Sequence, residues 1–125
     1  MTIRKIGFVG FRSQSLDAVQ NILERGLGLV PKALAPDQVT YQLDDGTRLE
    51  CYSETNSFHA FFTTGPVVGF QVDNFQASWA KLQGLGVVAL TEVQTEGGQS
   101  WVHFPLPDGT VVELIGSDEG TDEPM

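Results

Sequence analysis

The sequence predicts an α+β fold made of two copies of one β-α-β-β-β unit. Three echoes, met in the same order in each half, carry that expectation. Asp44-Asp45-Gly46-Thr47-Arg48-Leu49-Glu50 returns 63 positions later as Pro107-Asp108-Gly109-Thr110-Val111-Val112-Glu113. Both copies hold Asp-Gly-Thr, followed three residues after Thr by an acid. Val9-Gly10-Phe11 returns as Val68-Gly69-Phe70, and Gly26-Leu27-Gly28-Leu29-Val30 as Gly84-Leu85-Gly86-Val87-Val88.

The elements follow in chain order. Ile6 to Arg12 reads as a strand by its aromatic and β-branched content. Ser13 and Ser15 offer helix N-caps, and Leu16, Val19, Ile22 and Leu23 recur at helical spacing until Gly26 and Gly28 stop the run. Leu29-Val30 begins a short strand that Pro31 breaks. Gln38 to Leu43 and Thr47 to Tyr52 form a hairpin across Asp44-Asp45-Gly46. In the second copy Val67 to Val72 is the strand, and Asp73 or Asn74 caps a helix with Phe75, Trp79 and Leu82 on one face. Val87 to Leu90 is the short strand, and Ser100 to Phe104 pairs with Thr110 to Ile115. One domain over 1–125 is expected, with unit one at about 4–54, an aromatic linker at about 55–65, unit two at about 66–116 and a disordered acidic tail at about 117–125. The linker's Phe58, His59, Phe61 and Phe62 are packed on their own domain, on a cavity rim or on a partner.

Composition narrows the function. The chain has 125 residues and a net charge of −9; four of its acids lie in the last nine residues, leaving −5 elsewhere. No basic stripe is present to neutralise phosphates, so nucleic acid is not an expected partner. No apolar stretch is long enough to span a membrane, and the start lacks the pattern of a signal peptide. A single cysteine excludes an internal disulfide and a cysteine-based zinc site, and suits a cytoplasmic location.

Period two assigns faces. Val9 and Phe11 suit packing against the helix, which puts Phe8, Gly10 and Arg12 on the other face. Val67, Gly69 and Gln71 are their counterparts. Arg48, Glu50 and Tyr52 share one face of the hairpin, and Leu49 and Cys51 the other. Glu113 lies with Val111 and Ile115, an acid on an apolar face that needs a partner.

A tandem β-α-β-β-β chain closing on Pro-Asp-Gly-Thr-Val-Val-Glu-Leu resembles the vicinal oxygen chelate superfamily, which includes glyoxalase I, extradiol dioxygenases, epimerases and bleomycin resistance proteins. The resemblance spans Ile6 to Ile115 and implies units that curve into a half-barrel cleft. It also implies a homodimer, and in metal-dependent members two ligands per unit, one from the first strand and one from the last. The last-strand positions fall on Glu50 and Glu113. The first-strand positions fall on Phe8 and Val67, which have no lone pair to donate, and two carboxylates alone make a poor site for zinc, nickel or iron.

The expected function is therefore a cytoplasmic small-molecule-binding protein of the glyoxalase/bleomycin resistance type, with no cofactor and no metal. Its ligand is expected to be an organic molecule of cationic or aromatic character. Phe8, Val67, Tyr52 and Trp101 supply the wall, and Glu50 and Glu113 recognise a cationic or hydrogen-bond-donating group. Arg12 either crosses to pair with Glu50 or Glu113 or ends its strand in solvent. The alternative is a divergent lyase or isomerase that holds a divalent metal through Glu50, Glu113 and His103, with these three as the candidate catalytic residues. His103 is expected to face outward, with Val102 and Phe104 in the core. Cys51 reads as a small buried hydrophobe.

Overall fold

The structure, a computed structural model of the chain, describes residues 3–63 and 65–117. The chain divides into two compact units. One comprises Phe8–Val67; the other joins residues 3–7 to residues 68–117. The boundaries differ from the expected ones: the linker belongs to the first unit, and the opening residues of the first strand belong to the second. The acidic tail lies, from residue 118, outside the described residues. No helix among the described residues is long and apolar enough to cross a membrane.

In the first unit, strand β1 (Ile3–Ser13), from Phe8 onward, leads to helix α1 (Leu16–Asn21), then to β2 (Ala33–Ala35), β3 (Gln38–Gln42) and β4 (Arg48–Ser53). The strands lie in the order β2-β3-β4-β1. β1 runs parallel to β4, while β2-β3 and β3-β4 are antiparallel. The helix side of this sheet is apolar. Val39, Tyr41 and Cys51 are fully buried there, against Phe11, Leu16, Val19, Leu23, Leu29 and Leu49.

The second unit repeats the arrangement with β5 (Val67–Val72), α2 (Phe75–Gly84), β6 (Gln94–Glu96), β7 (Gln99–Pro105) and β8 (Val111–Ser117), in the order β5-β8-β7-β6. β5 is parallel to β8 and the remaining pairs are antiparallel. Its core joins Phe75 and Trp79 of α2 to Val72, Val102, Phe104, Val112 and Leu114. Asn74 is the cap of α2, its side chain accepting from the Ala77 amide at 3.0 Å. Ser15 stands at the α1 cap position without such a bond, and its amide donates instead to Ser13 Oγ.

The duplicated phrase folds identically in both units. Asp45 Oδ1 accepts from the Thr47 amide at 2.9 Å, and Asp108 Oδ1 from the Thr110 amide at 3.0 Å. Gly46 and Gly109 have φ of 89° and 92°, the left-handed conformation that only glycine adopts without strain. Bonding to Thr110 holds the Asp108 carboxyl below its ordinary pKa.

One difference between the copies has a clear cause. The first helical segment is six residues of α-helix followed by five of π-helix, Ile22–Gly26, where α2 has ten regular residues. The first copy holds one residue more between its Val-Gly-Phe and its Gly-Leu-Gly, and a π-turn absorbs a single added residue without shifting the helix ends. Glu24, inside this turn, accepts from the buried Tyr41 hydroxyl at 2.8 Å, which fastens the turn to β3.

Both short strands sit later than expected. Pro31 removes an amide that a ladder needs, so β2 begins beyond it, at Ala33, and pairs with β3 across Pro36-Asp37. β6 lies beyond Val87–Leu90, because Gly97 and Gly98, with φ of 61° and 80°, form the two-residue turn that joins Gln94–Glu96 to β7.

Candidate functional site

Each sheet has a second face, away from its helix, and the candidate residues stand there as period two requires. In the first unit Phe8, Gly10 and Arg12 of β1 lie beside Arg48, Glu50 and Tyr52 of β4, with Thr40 opposite Glu50 on β3. In the second, Gly69 lies beside Glu113, which stands opposite His103 on β7. Each acid therefore has a glycine as its neighbour on the parallel strand, and the expected first-strand ligand position is two residues earlier, at Phe8 and at Val67.

This face is not open to water. Phe8 is 6% exposed, Glu50 8%, Tyr52 1% and Val67 0%. A carboxylate so buried must find partners, and Glu50 has three within its own unit. Arg48 Nε and Nη2 approach Oε2 at 3.1 and 3.0 Å, the Thr40 hydroxyl donates to Oε2 at 3.4 Å, and the Tyr52 hydroxyl donates a short bond to Oε1. Arg12 was expected either to pair with one of the acids or to end its strand in solvent. Instead Arg12 Nη2 donates to the main-chain carbonyl of Glu54 at 2.6 Å, at the far end of the strand. Arg48 takes its place because it lies two residues from Glu50 on the same face of the same strand, and so reaches it without crossing anything.

The linker covers this network. A 3₁₀ turn, Ser57–His59, is capped by Asn56, and beyond it Phe62 is 4% exposed. His59 stacks on Tyr52 with ring centroids 3.6 Å apart, and its Nδ1 lies 2.9 Å from Asn56 Oδ1. Phe62 meets Tyr52 and Phe8 edge-on, at 5.5 and 6.4 Å. The Phe8 ring turns along β1 over Gly10: a Cβ at position 10 would lie 2.5 Å from Phe8 Cζ and 3.0 Å from Phe62 Cε2. The absent Cβ is what lets aromatic rings occupy the space beside Glu50. The linker thus packs on its own unit, through Phe62 against Tyr52 and Phe8.

His103 reverses its expected orientation. Val102 and Phe104 do take the helix-side core, but the opposite face is also buried, and His103 on it is 3% exposed. Its Nε2 lies 3.2 Å from Glu113 Oε1. Trp101, one rung along the same face and opposite Ile115, is half-buried. Thus Glu113, like Glu50, already has a basic side chain beside it. A cationic ligand reaching either acid would therefore meet a carboxylate that already has a neighbour.

The donor set does not fit the metal centre that the resemblance implies. Phe8 and Val67 offer no donor, and Glu50 is committed to Arg48, Tyr52 and Thr40. No group of three or more His, Cys, Asp or Glu side chains placed to hold a metal ion occurs among the described residues. Thr40 was not anticipated; Arg48, Phe62 and the two glycines were placed on this face or in the linker, but without the contacts they make. The Val-Gly-Phe echo was their signal: a glycine repeated at the same place in both first strands marks a close approach.

Cys51 is fully buried on the helix side, and burial, with the Glu50 charge adding, pushes its thiol up to about 11. It is therefore a neutral thiol at pH 7.5, without the nucleophilic form. Labelling by a thiol reagent at that pH is expected to be slow in the native protein and fast in denaturant; equal rates would contradict its packing.

No protein-family model matches the chain, and no curated protein matches it by sequence. Solved structures do resemble it. A methylmalonyl-CoA epimerase from Mycobacterium tuberculosis superposes with a TM-score of 0.69 at 15% identity, over 92% of this chain and 89% of that one. A glyoxalase/bleomycin resistance protein/dioxygenase superfamily member from Vibrio splendidus gives 0.67 at 16% identity, over 93% and 100%. The Mn(II)-bound glyoxalase from Novosphingobium aromaticivorans gives 0.71 at 18% identity, over 93% of this chain but 39% of that one. At these identities the likeness establishes the fold.

Proposed function

We propose, from the vicinal oxygen chelate fold as premise, that this chain is a small-molecule-binding protein that works without the metal centre of its metal-dependent structural relatives. The observation that carries this reading is the filling of the ligand position beside Glu50. There the Phe8 ring lies over Gly10 while the carboxylate is held by Arg48, Tyr52 and Thr40. A residue that meets metal elsewhere in the fold has here become part of a packed aromatic and hydrogen-bonded layer. The ligand on this reading is a small organic molecule with a flat apolar body, a reading supported by Phe11 and Phe62 in the lining of the first unit's pocket. Two chains pair, and the buried, unreactive Cys51 suits a reducing cytoplasm.

A ligand that binds only the native state raises the melting temperature in proportion to its concentration over Kd. Thermal melts of the EDTA-treated protein against a panel of aromatic and aliphatic small molecules are expected to yield at least one saturable upward shift, unchanged by omitting EDTA. Shifts that appear only when metal is present would contradict the proposal.

A second reading, a lyase or isomerase of the glyoxalase type, draws on the buried approach of His103 to Glu113. A carboxylate beside an imidazole in a dry setting can accept and return a proton. It differs from the first reading in needing Glu113 as a proton acceptor, so Glu113→Gln separates them: turnover requires the acid, whereas binding through the aromatic wall does not.

A further inference from the structure

We infer that the pocket at the C-terminal end of β1 is a subsite for a small monocarboxylate with a flat apolar body, anchored by Arg12. The inference rests on the binding-protein reading and supplies the ligand chemistry that reading leaves open. The pocket has a volume of about 470 Å³ and is lined by Phe11, Arg12, Phe62, Thr63, Gly65 and Pro66. Such a volume accommodates a ring bearing a short acid chain, within the roughly 300–1,000 Å³ usual for small-ligand sites.

Arg12 is the basic residue in the lining of this pocket. Arg4 pairs with Asp73 at 3.4 Å and Arg48 with Glu50 at 3.0 Å, whereas among the described residues no carboxylate stands within ion-pair distance of Arg12. A guanidinium carries five N–H donors. One is used, by the Glu54 carbonyl at 2.6 Å, and Nε is buried without an acceptor. The Glu54 bond holds one terminal nitrogen, and the terminal nitrogens supply the remaining donors. A half-buried cation next to Phe62 and Phe11 has lost part of its hydration and gained no counter-charge, so an arriving anion recovers what burial cost. Phe11, Phe62 and Pro66 offer apolar surfaces for a ring.

Charge selects a monoanion. The chain carries −9 overall, a field that opposes multiply charged ligands more strongly than singly charged ones. A phosphate dianion also wants several donors, and among the side chains of the described lining residues Thr63 adds one hydroxyl to the donors of Arg12.

The test is a titration of the isotopically labelled full chain, followed through its backbone amide resonances, with phenylacetate, its neutral isostere phenylacetamide, and inorganic phosphate. Phenylacetate is expected to give saturable shifts at residues 11–13, 62, 63 and 65. Phenylacetamide should bind roughly tenfold or more weakly, as the loss of a charge-assisted bond implies, and phosphate should not saturate. Arg12→Gln should bring phenylacetate down to the level of the amide, with Arg12→Lys between. Equal affinity for acid and amide, saturation at another surface, or no saturable binding would overturn the subsite. Should Arg12→Gln disturb the fold, acid against amide on the unaltered chain decides alone. Metal content measured on the same sample keeps the two proposals apart. A metal-loaded protein that binds phenylacetate through Arg12 would sink the metal-free reading and leave the subsite, and a metal-free protein indifferent to the acid would do the reverse.

Discussion

Replacing Phe8 by alanine is expected to cost about 3 to 5 kcal/mol of folding stability, the range for removing a buried aromatic ring. Phe8 is 6% exposed, lies over Gly10, and meets Phe62 edge-on at 6.4 Å. Its removal leaves a cavity beside a carboxylate, and Phe62, already in contact with Tyr52, His59 and Phe61, is not free to fill it. With total stabilities of roughly 5–15 kcal/mol for domains of this kind, the variant should sit near the edge of folding at 37 °C. Urea denaturation followed by circular dichroism measures it. A loss below about 1 kcal/mol would mean that the ring borders space, and would favour a wall that ligand completes over a layer that the chain completes itself.

Glu50→Ala is the second large effect, at about 2 to 3 kcal/mol. The Tyr52 hydroxyl, on a residue 1% exposed, would lose its carboxylate acceptor, and Thr40, 2% exposed, would lose a second bond. Arg48 matters less, because its side chain is 54% exposed and can turn to water. Glu50→Gln keeps an oxygen for Tyr52 and should lose about half as much. The sign separates two accounts. Residues kept for binding or catalysis often cost stability, so their removal is neutral or stabilising. Stability equal to or above that of the unaltered chain in Glu50→Ala would return Glu50 to the role of ligand hook.

Much of this was legible in the sequence, for a physical reason that also marks where reading failed. The Asp-Gly-Thr turns fix the register of both hairpins, and register fixes faces. Thr40 and Glu50 are equidistant from the first turn, as are His103 and Glu113 from the second, so both pairs follow from counting outward. The orientation of His103 was mistaken because the helix side was taken as the only buried side, although both faces of these sheets are covered. β6 escaped notice because Gln94-Thr95-Glu96 shows no apolar alternation, and only Gly97-Gly98 announced it. The π-turn was written in the extra residue of the first copy. What no local pattern gives is the path of residues 54–63, which sets the partner of Arg12 and closes the aromatic layer over Glu50: that path depends on tertiary packing.

The most direct test of the central claim is elemental analysis of the purified chain, paired with melts in zinc, nickel, manganese and iron(II). A native-state metal site would hold about one equivalent, or raise the melting temperature with its own metal. The account predicts far less than one equivalent and no shift with any of the four. Stoichiometric metal, or an upward shift abolished by Glu113→Ala, would contradict it.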